Sequence, residues 1–499
     1  MSDSSRREFL GSLGLTGAGA AIGLSAFLTD WKDKAPDDKR ELVKMGFIGV
    51  GNRGGSLLRT ALQVPGAIPI AVADVQPAKR NGFARDIKKQ MEKKLGDKDF
   101  KVDTYEDYRD LLANKEVEAV VIATPHYLHG PMAIDAIEAG KHVYCEKAMA
   151  FTIGENIDIY NLVNEKRKAG DSLVFQVGHQ RHYSPLYKKV KELCDGDRIG
   201  DIAAIRAQWN LNDEIRRPTA DPELEKVVNW RLYSELSGGL TTEYATHQID
   251  VVNWLLDCPP DSVAGFGGVD WYDGDGRDTQ DNIHIIFNYK VPAVARDAFG
   301  RIKKDAAGKT TYEKDADGKI KKRDVKFMYM SMMANAHLGP SELVMGRYGT
   351  IGMSLAGGEF WKEKKARADS SRVAEGTNPL RAKQKDILVS GPTVATSFAG
   401  PAGDTIEHPI TKEDGTPDEY HWTRFLEPIK GAYDKVETLL AMDSYVDCCR
   451  DARAKKDFDH KLSADVKVGM WSAIPALMAN IAMREERTVY WNEFFPNGA

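Results

Sequence analysis

The chain has no excess of basic residues: 69 Lys and Arg stand against 74 Asp and Glu, a formal net charge of -5 over 499 residues. A field of that sign does not gather nucleic acid, and no nucleic-acid-binding motif accompanies it. Cysteine is scarce as well. Five in a chain of this length cannot form a disulfide framework, and Cys448 and Cys449 are adjacent, an awkward geometry for bridging each other. All five are expected to be reduced or buried. With 42% hydrophobic and 29% charged residues the chain has the balance of a soluble globular protein, not a disordered or membrane-embedded one. Its length exceeds one ordinary core, so two domains and an extra segment are expected.

That extra segment is at the N-terminus. Ser5-Arg6-Arg7-Glu8-Phe9-Leu10 precedes a mildly apolar stretch, rich in Gly and Ala, that runs to about Leu28. Paired arginines ahead of a weakly hydrophobic region match the twin-arginine export signal, which carries proteins out already folded. A stretch made of Gly and Ala is a poor permanent anchor, because large aliphatic side chains drive insertion. The expectation is therefore an exported, periplasmic protein with no stable membrane span once mature. No A-x-A site with a clear mature start follows.

Residues 1–30 thus form the signal segment and the charged residues 31–41 a linker. From Leu42 the pattern becomes regular. Apolar runs at Leu42–Ile48, Ile68–Ala73, Val117–Ala123, His142–Cys145 and Leu173–Val177 suit buried parallel strands, and Ser56–Gln63 and Met132–Ala139 suit intervening helices. Residues 42–178 are expected to form a doubly wound α/β domain.

Residues 179–499 change character. A helix at Pro185–Cys194 leads to a strand at Ile202–Trp209; a helix at Leu240–Leu256 precedes strand-like runs at Val263–Trp271, Ile283–Tyr289, Lys326–Met333 and Ser341–Met345. Long strands with few helices imply a large, mostly antiparallel open sheet with one face covered. A last helix, about Ala464–Arg484, is expected to pack on it. A polar insertion at about 297–324 carries Asp315-Ala316-Asp317-Gly318, which, like Asp273-Gly274-Asp275-Gly276, has the opening of a calcium loop. Such a loop needs Glu at its twelfth position; here Lys326 and His284 fall there. Hairpin turns are the reading that stands.

Gly49-Val50-Gly51-Asn52-Arg53-Gly54 follows the first strand and opens a helix. In that context a G-x-G-x-x-G loop holds a pyrophosphate on backbone N–H groups and the helix dipole. Asp74 follows twenty residues after Gly54, at the end of the second strand, where a carboxylate accepts from the adenosine ribose. It repels a ribose phosphate, which favours NAD over NADP, although Lys79 and Arg80 lie close by. Two further clusters end later strands: Thr124, Pro125, His126 and His129, and then Glu146 and Lys147. Lys147 there would face the nicotinamide and contact substrate. Glu243, His247 and Asp250 are spaced by four and three along a predicted helix, so they share one face. Histidine can move a proton near neutral pH, and a carboxylate one turn away can orient it. A structural ladder, or a metal site completed by His179 or His182, are the other readings of these three.

With the loop GVGNRGG, the segment TPHYLH, the pair Glu146-Lys147 and the stretch GGLTTEYATHQIDVVNWLL, the chain from Leu42 onward resembles the Gfo/Idh/MocA family, named for glucose–fructose oxidoreductase and inositol dehydrogenase. The resemblance implies a Rossmann domain followed by an α/β domain with an open sheet, and homo-oligomers, dimers or tetramers, formed through that sheet. It also puts Lys147 and His247 in catalytic roles, with Glu243 at a position that is often Asp. The proline of the family's E-K-P motif is Ala148 here, and the polar insertion is not part of the minimal family pattern.

The expected reaction is hydride transfer from a carbohydrate or polyol to NAD, with His247, helped by Glu243, removing the hydroxyl proton and Lys147 stabilising the reacting oxygen. Cofactor contacts fall to Gly49, Gly51, Asn52, Arg53, Gly54, Asp74, Thr124, Pro125, His126, His129 and Glu146. Substrate hydroxyls fall to His179, Arg181, His182, Tyr183, Asn229, Arg231 and Asp250, and no metal is needed. Export would require the cofactor to be regenerated in place. That leaves open a redox-neutral cycle: a second substrate reoxidising it, or transient sugar oxidation that permits cleavage of a glycosidic bond. A non-catalytic sugar-binding protein of the same fold is the third possibility.

Overall fold

The computed structural model describes residues 42–219, 221–298, 300–354, 357–362, 433–455 and 462–496. The Arg6-Arg7 pair and the linker at 31–41 lie outside the described residues.

Apolar runs dictate the first sheet. β1 (Val43–Ile48), β2 (Ala67–Ala73), β4 (Ala119–Ile122), β5 (His142–Cys145) and β6 (Phe175–Val177) are buried almost throughout, and β3 (Asp103–Tyr105) is the edge. They form a parallel six-stranded sheet in the order β3-β2-β1-β4-β5-β6. The crossovers run through α1 (Asn52–Ala61), α2 (Pro77–Leu95), α3 (Tyr108–Ala113), α4 (His129–Glu138) and α5 (Ile153–Lys168). Strand order reverses between β1 and β4, so the loops after those strands open a crevice at the carboxyl edge.

The second sheet has eight strands in the order β13-β12-β11-β7-β10-β9-β8-β14. β7 (Ile202–Trp209) and β10 (Lys322–Met332) pair in parallel. β8 (Ser262–Gly268), β9 (Asn282–Pro292), β11 (Pro340–Gly346), β12 (Gly349–Ser354), β13 (Gly357–Lys362) and β14 (Val489–Tyr490) extend it by antiparallel pairs. β9 and β10 alternate buried and exposed residues, as one covered face requires. α6 (Pro185–Asp195), α7 (Thr246–Leu256) and α9 (Val466–Glu485) share the core of the covered face. α9 is long and apolar enough to cross a membrane, but most of it is buried, packed against α5, α7 and β8.

Three features differ from the sequence reading. The predicted helix at Leu240–Leu256 begins with a π-helical turn, Thr241–Ala245, and becomes α-helical only at Thr246. Glu243 lies within that turn and His247 on the α-helical part that follows, and both line one cleft. Not all the described residues after 178 pack with the second sheet. α8 (Tyr433–Arg453), absent from the sequence reading, lies on the first sheet: Leu439, Met442, Tyr445, Val446, Cys448, Cys449 and Ala452 join the core made by Val43, Met45, Phe47, Ala119 and Val121. Tyr445 donates to the Val120 carbonyl at 3.2 Å, and Arg453 pairs with Glu118 at 2.6 Å. The cause is the apolar sheet face, which α1 and α2 do not fully cover.

The third difference is order in the polar insertion. Bridges Arg296↔Ile302, Lys304↔Thr310 and Lys314↔Ile320 make successive small hairpins. Their tips are the expected turns: Gly308 and Gly318 have positive φ, and Asp305 and Asp315 each accept backbone N–H bonds two and four residues on. Arg296 ties this arm down through Asp197 and Asp201, at 2.7 and 2.9 Å. The cysteines Cys145, Cys448 and Cys449 are buried, and all five are free, as expected.

Candidate active site

A cleft of about 1430 Å³ runs along the carboxyl edge of the first sheet and under the second. At one end are Gly49, Gly51, Asn52, Arg53 and Asp74; in the middle Thr124, Pro125, His126, His129, Glu146 and Lys147; at the far end Arg181, Trp209, Asn229, Arg231, Glu243, Tyr244 and His247. All the expected cofactor residues except Gly54 line it, with all three expected catalytic residues.

The dinucleotide end is shaped by glycine. A Cβ on Gly54 would stand 1.9 Å from the Gly49 carbonyl oxygen, so only glycine lets α1 begin this close to β1. A Cβ on Gly51 would meet nothing within 4 Å: it would project into free space where backbone N–H groups face the cleft. The Asp74 carboxylate is fixed at the end of β2, accepting from Val50 N–H and from Gln76 N–H, both at 2.9 Å. Open cradle, close-packed turn and strand-end carboxylate fit NAD, held by Gly49, Gly51, Asn52 and Asp74.

Other expected cofactor residues act at one remove. Arg53 Nε pairs with Glu146 at 2.7 Å, which joins α1 to the loop after β5. Glu146 occupies the space left by Gly178, whose Cβ would come within 2.8 Å of its carboxyl carbon. His126 is bonded to the Ala150 carbonyl at 3.0 Å, and His129 spans the carbonyls of Ala148 and Thr124 at 2.8 and 3.0 Å. These buried rings brace the loop that carries Lys147.

Lys147 Nζ donates to the main-chain carbonyls of Glu243 and Thr242, at 2.7 and 3.3 Å, so the π-helical turn receives the amine. Burial pushes the Lys147 pKa down, against the pull of Glu243 and Glu146. His247 lies on α7 with its ring tilted over Trp209, centroids 5.2 Å apart. Burial first, and then Lys147 and Arg181, hold its pKa well below the usual histidine value, so the ring is neutral at physiological pH. A neutral imidazole beside a half-desolvated amine can take a proton from a hydroxyl and stabilise the oxygen left behind.

Glu243 does not orient His247. Its carboxylate accepts from Arg231 Nε at 2.7 Å, and no hydrogen bond joins it to His247 among the described residues. Burial alone would raise its pKa, but Arg231 and Lys147 prevail and hold it at about 2. The expected substrate residues separate into two groups. Arg181, Asn229 and Arg231 line the cleft; His179, His182, Tyr183 and Asp250 do not, and are buried behind it. Asn229 is spent on bracing the loop, bonded to Arg217 N and O at 2.7 and 2.9 Å. The shared face of Glu243, His247 and Asp250 is thereby divided among different partners, and no group of three or more His, Cys, Asp or Glu could hold a metal among the described residues.

Trp209, Tyr244, Tyr187 and Glu342 were missed by sequence reasoning. Trp209 ends a predicted strand, where ligands gather, and that position was the available signal. Glu342 has no motif around it; it is found only because Arg181 pairs with it and Tyr187 donates to it at 3.1 Å. Arg181 also lies over the Trp209 ring, 5.6 Å from its centroid.

The model described as an oxidoreductase family with NAD-binding Rossmann fold matches residues 43–173, and that of the GFO/IDH/MocA C-terminal domain matches 187–305. Inositol 2-dehydrogenase of Salmonella typhimurium is 30% identical over 217 residues, 43% of this chain and 55% of the relative. A glycosyl hydrolase family 109 protein of Shewanella baltica is 30% identical over 272 residues, 50% of this chain and 55% of the relative. The chain thus spans about half the length of these curated relatives. Among solved structures, levoglucosan dehydrogenase in complex with NADH and levoglucosan superposes with a TM-score of 0.56 at 18% identity, covering 90% of this chain and 99% of the other. Scyllo-inositol dehydrogenase from Lactobacillus casei, with NAD(H) and scyllo-inositol, gives 0.54 at 17%, with 90% and 99% covered. At these identities the structural likeness is one of fold.

Proposed function

The chain belongs to the Gfo/Idh/MocA family of NAD-binding oxidoreductases, and on that premise we propose that it oxidises a secondary hydroxyl of a carbohydrate or polyol. The observation that carries this reading is the meeting of Lys147 and His247 in one cleft with the glycine loop and Asp74. His247, neutral and buried, accepts the hydroxyl proton. Lys147 donates to the reacting oxygen and stabilises the charge that develops there. When bound, NAD supplies the acceptor for the carbinol hydrogen and its electron pair. Trp209 and Tyr244 offer aromatic faces suited to the C–H face of a sugar ring, and Arg231, anchored by Glu243, offers hydroxyl-directed donors.

The test is a panel of polyols and sugars with NAD, followed by the near-ultraviolet absorbance of reduced nicotinamide. Turnover with at least one member is expected. His247→Ala should lose it while still binding NAD; full activity in that variant rejects the assignment.

The 30% identity to a protein named for a glycosyl hydrolase family favours a second reading, in which transient oxidation serves cleavage of a glycosidic bond. Incubation with glycosides and no added NAD separates the two: released aglycone supports cleavage, and oxidised sugar alone supports the first.

Two further parts of the reading concern location and assembly. Arg6-Arg7 supports twin-arginine export with the cofactor already seated, and fractionation of cells carrying Arg6→Lys with Arg7→Lys tests it. Phe266, Ile286 and Met328 on the open sheet face are 78%, 51% and 39% exposed, and Ile286 and Met328 are register partners. An apolar patch on this face supports a homo-oligomer formed through the sheet; light scattering of Phe266→Asp against the parent tests it.

A further inference from the structure

Behind His247, sealed from the cleft, lies a chain of buried polar groups. Ser472, on α9, has its hydroxyl 2.6 Å from His179 Nε2. His179 Nδ1 stands 3.5 Å from Asp250 Oδ2, and Asp250 Oδ1 is 2.9 Å from His182 Nε2. The His182 ring is stacked on Trp254, centroids 4.4 Å apart. His179, His182, Asp250 and Ser472 are each at most 2% exposed. His179 Nδ1 and Asp250 Oδ2 have no hydrogen-bond partner, and they stand 3.5 Å apart. On the other side His179 meets His247 edge to face, ring centroids 6.5 Å apart and planes at 90°.

We propose that Asp250 is a positioning residue for the proton-accepting His247: its carboxylate holds His179 with the proton on Nδ1, and the ring so fixed forms the wall against which His247 stands.

Donor and acceptor chemistry leads there. An ionised carboxylate only accepts, so the histidine nitrogens facing it must carry protons. Burial pushes the Asp250 carboxyl up, but His179 and His182 bring it below the usual range, so it is ionised. Burial pushes His179 down to about 4, so that ring is neutral and carries one proton. If that proton is on Nδ1, it points at Asp250, and bare Nε2 accepts from the Ser472 hydroxyl. With the proton on Nε2, two lone pairs would confront each other in a buried space, which is costly. The Ser472 hydroxyl also has the Gly469 carbonyl as an acceptor at 3.0 Å within α9, so its proton must turn from that carbonyl to the ring in the first arrangement. What favours the first arrangement is that it places a proton between His179 Nδ1 and Asp250 Oδ2, which otherwise have no partner. An imidazole held in one tautomer by a buried carboxylate is a recurrent way of fixing ring orientation.

The tautomer can be read without any substrate. In protein labelled with ¹⁵N-histidine, with the His179 signals assigned from His179→Gln, the ring should show a protonated Nδ1 and a bare Nε2. Asp250→Asn turns one accepting oxygen into a donor and should change that pattern. Ser472→Ala removes only the hydroxyl and should leave Nδ1 protonated, which decides the matter even if the Asn variant does not fold. A protonated Nε2 in the parent, or a proton that moves to Nε2 in Ser472→Ala, overturns the proposal. The catalytic consequence rests on the dehydrogenase reading. Given turnover, folded Asp250→Asn should lose kcat on the order of 10- to 100-fold with KM unchanged. An unchanged kcat removes the positioning role, whereas the dehydrogenase reading is decided separately by His247→Ala.

Discussion

Lys147 gives its shortest side-chain hydrogen bond to the main-chain carbonyl of Glu243, at 2.7 Å, and not to a carboxylate. The π-helical turn therefore holds the amine by a group that cannot take its charge or its proton. With two N–H groups on the carbonyls of Glu243 and Thr242, the lysine keeps its third for a ligand.

Replacing Lys147 should show that arrangement directly. Lys147→Met should lower kcat by about 10²- to 10³-fold, the range for losing one donor that stabilises a developing oxyanion. Lys147→Arg should not rescue it, because its planar fork does not fit two carbonyls on one turn and so cannot aim an N–H at the reacting oxygen. Steady-state kinetics with NAD in excess checks both; an active Arg variant shows that positive charge alone, without this placement, is enough.

Arg231 and Glu243 make an ion pair in which the arginine side chain is 43% exposed and the carboxylate 12%. The carboxylate is the buried partner, so Arg231→Gln strips a buried charge of its main counter-charge and should lower stability at neutral pH. The Glu243 carboxyl should titrate above about 2 once its main counter-charge is gone, since burial then dominates. Carbon-detected NMR of labelled glutamate reports that shift. KM for the sugar should rise more than kcat falls.

The two glycines of the phosphate loop should fail in different ways. Gly54→Ala puts a methyl group 1.9 Å from the Gly49 carbonyl, so α1 must move away from β1 and thermal stability should fall together with NAD binding. Gly51→Ala meets no atom within 4 Å and should leave the unfolding temperature almost unchanged. Its methyl group stands in the cradle, so NAD affinity should still drop. Parallel thermal unfolding and NAD titration of the two variants separates folding from binding.

Stability should decline on mild acidification. Burial holds His126 at about 3 and His142 and His179 at about 4, against 6.5 for an unburied ring. Below pH 6.5 the unfolded chain binds protons that the folded chain refuses, so stability falls as pH drops from 6.5 towards 4. Glu243 adds to the loss at lower pH, because its folded value of about 2 lies under the unfolded 4.5. Denaturant midpoints between pH 7 and 4 should decrease steadily; a flat profile would mean that these rings are protonated in the folded state.

The Rossmann strands and the glycine loop were legible because buried parallel strands are continuous apolar runs and the loop is local in sequence. That Lys147 and His247 line the cleft was legible for a similar reason, each lying in a short motif at a strand end or on a helix. The partner of the Glu243 carboxylate was not legible, because Arg231 lies twelve residues away outside the helix and its spacing carries no periodic signal. That Asp250, His179 and His182 stand behind the cleft is not legible, because sequence marks a polar cluster without saying which side of a wall it occupies. α8 was missed because its partner surface is some three hundred residues earlier in the chain, beyond any local periodicity.

Helix α8 also sets an order of events in the making of the protein. The strands β1 to β6 are synthesised early, yet Met45, Phe47, Ala119 and Val121 are covered by residues that leave the ribosome only after the whole of the second sheet's long strands. A chain interrupted before residues 433–453 lacks the helix that buries these side chains, so it should be less stable and more prone to proteolysis than the whole protein, and limited proteolysis of a chain ending before Tyr433 should show it.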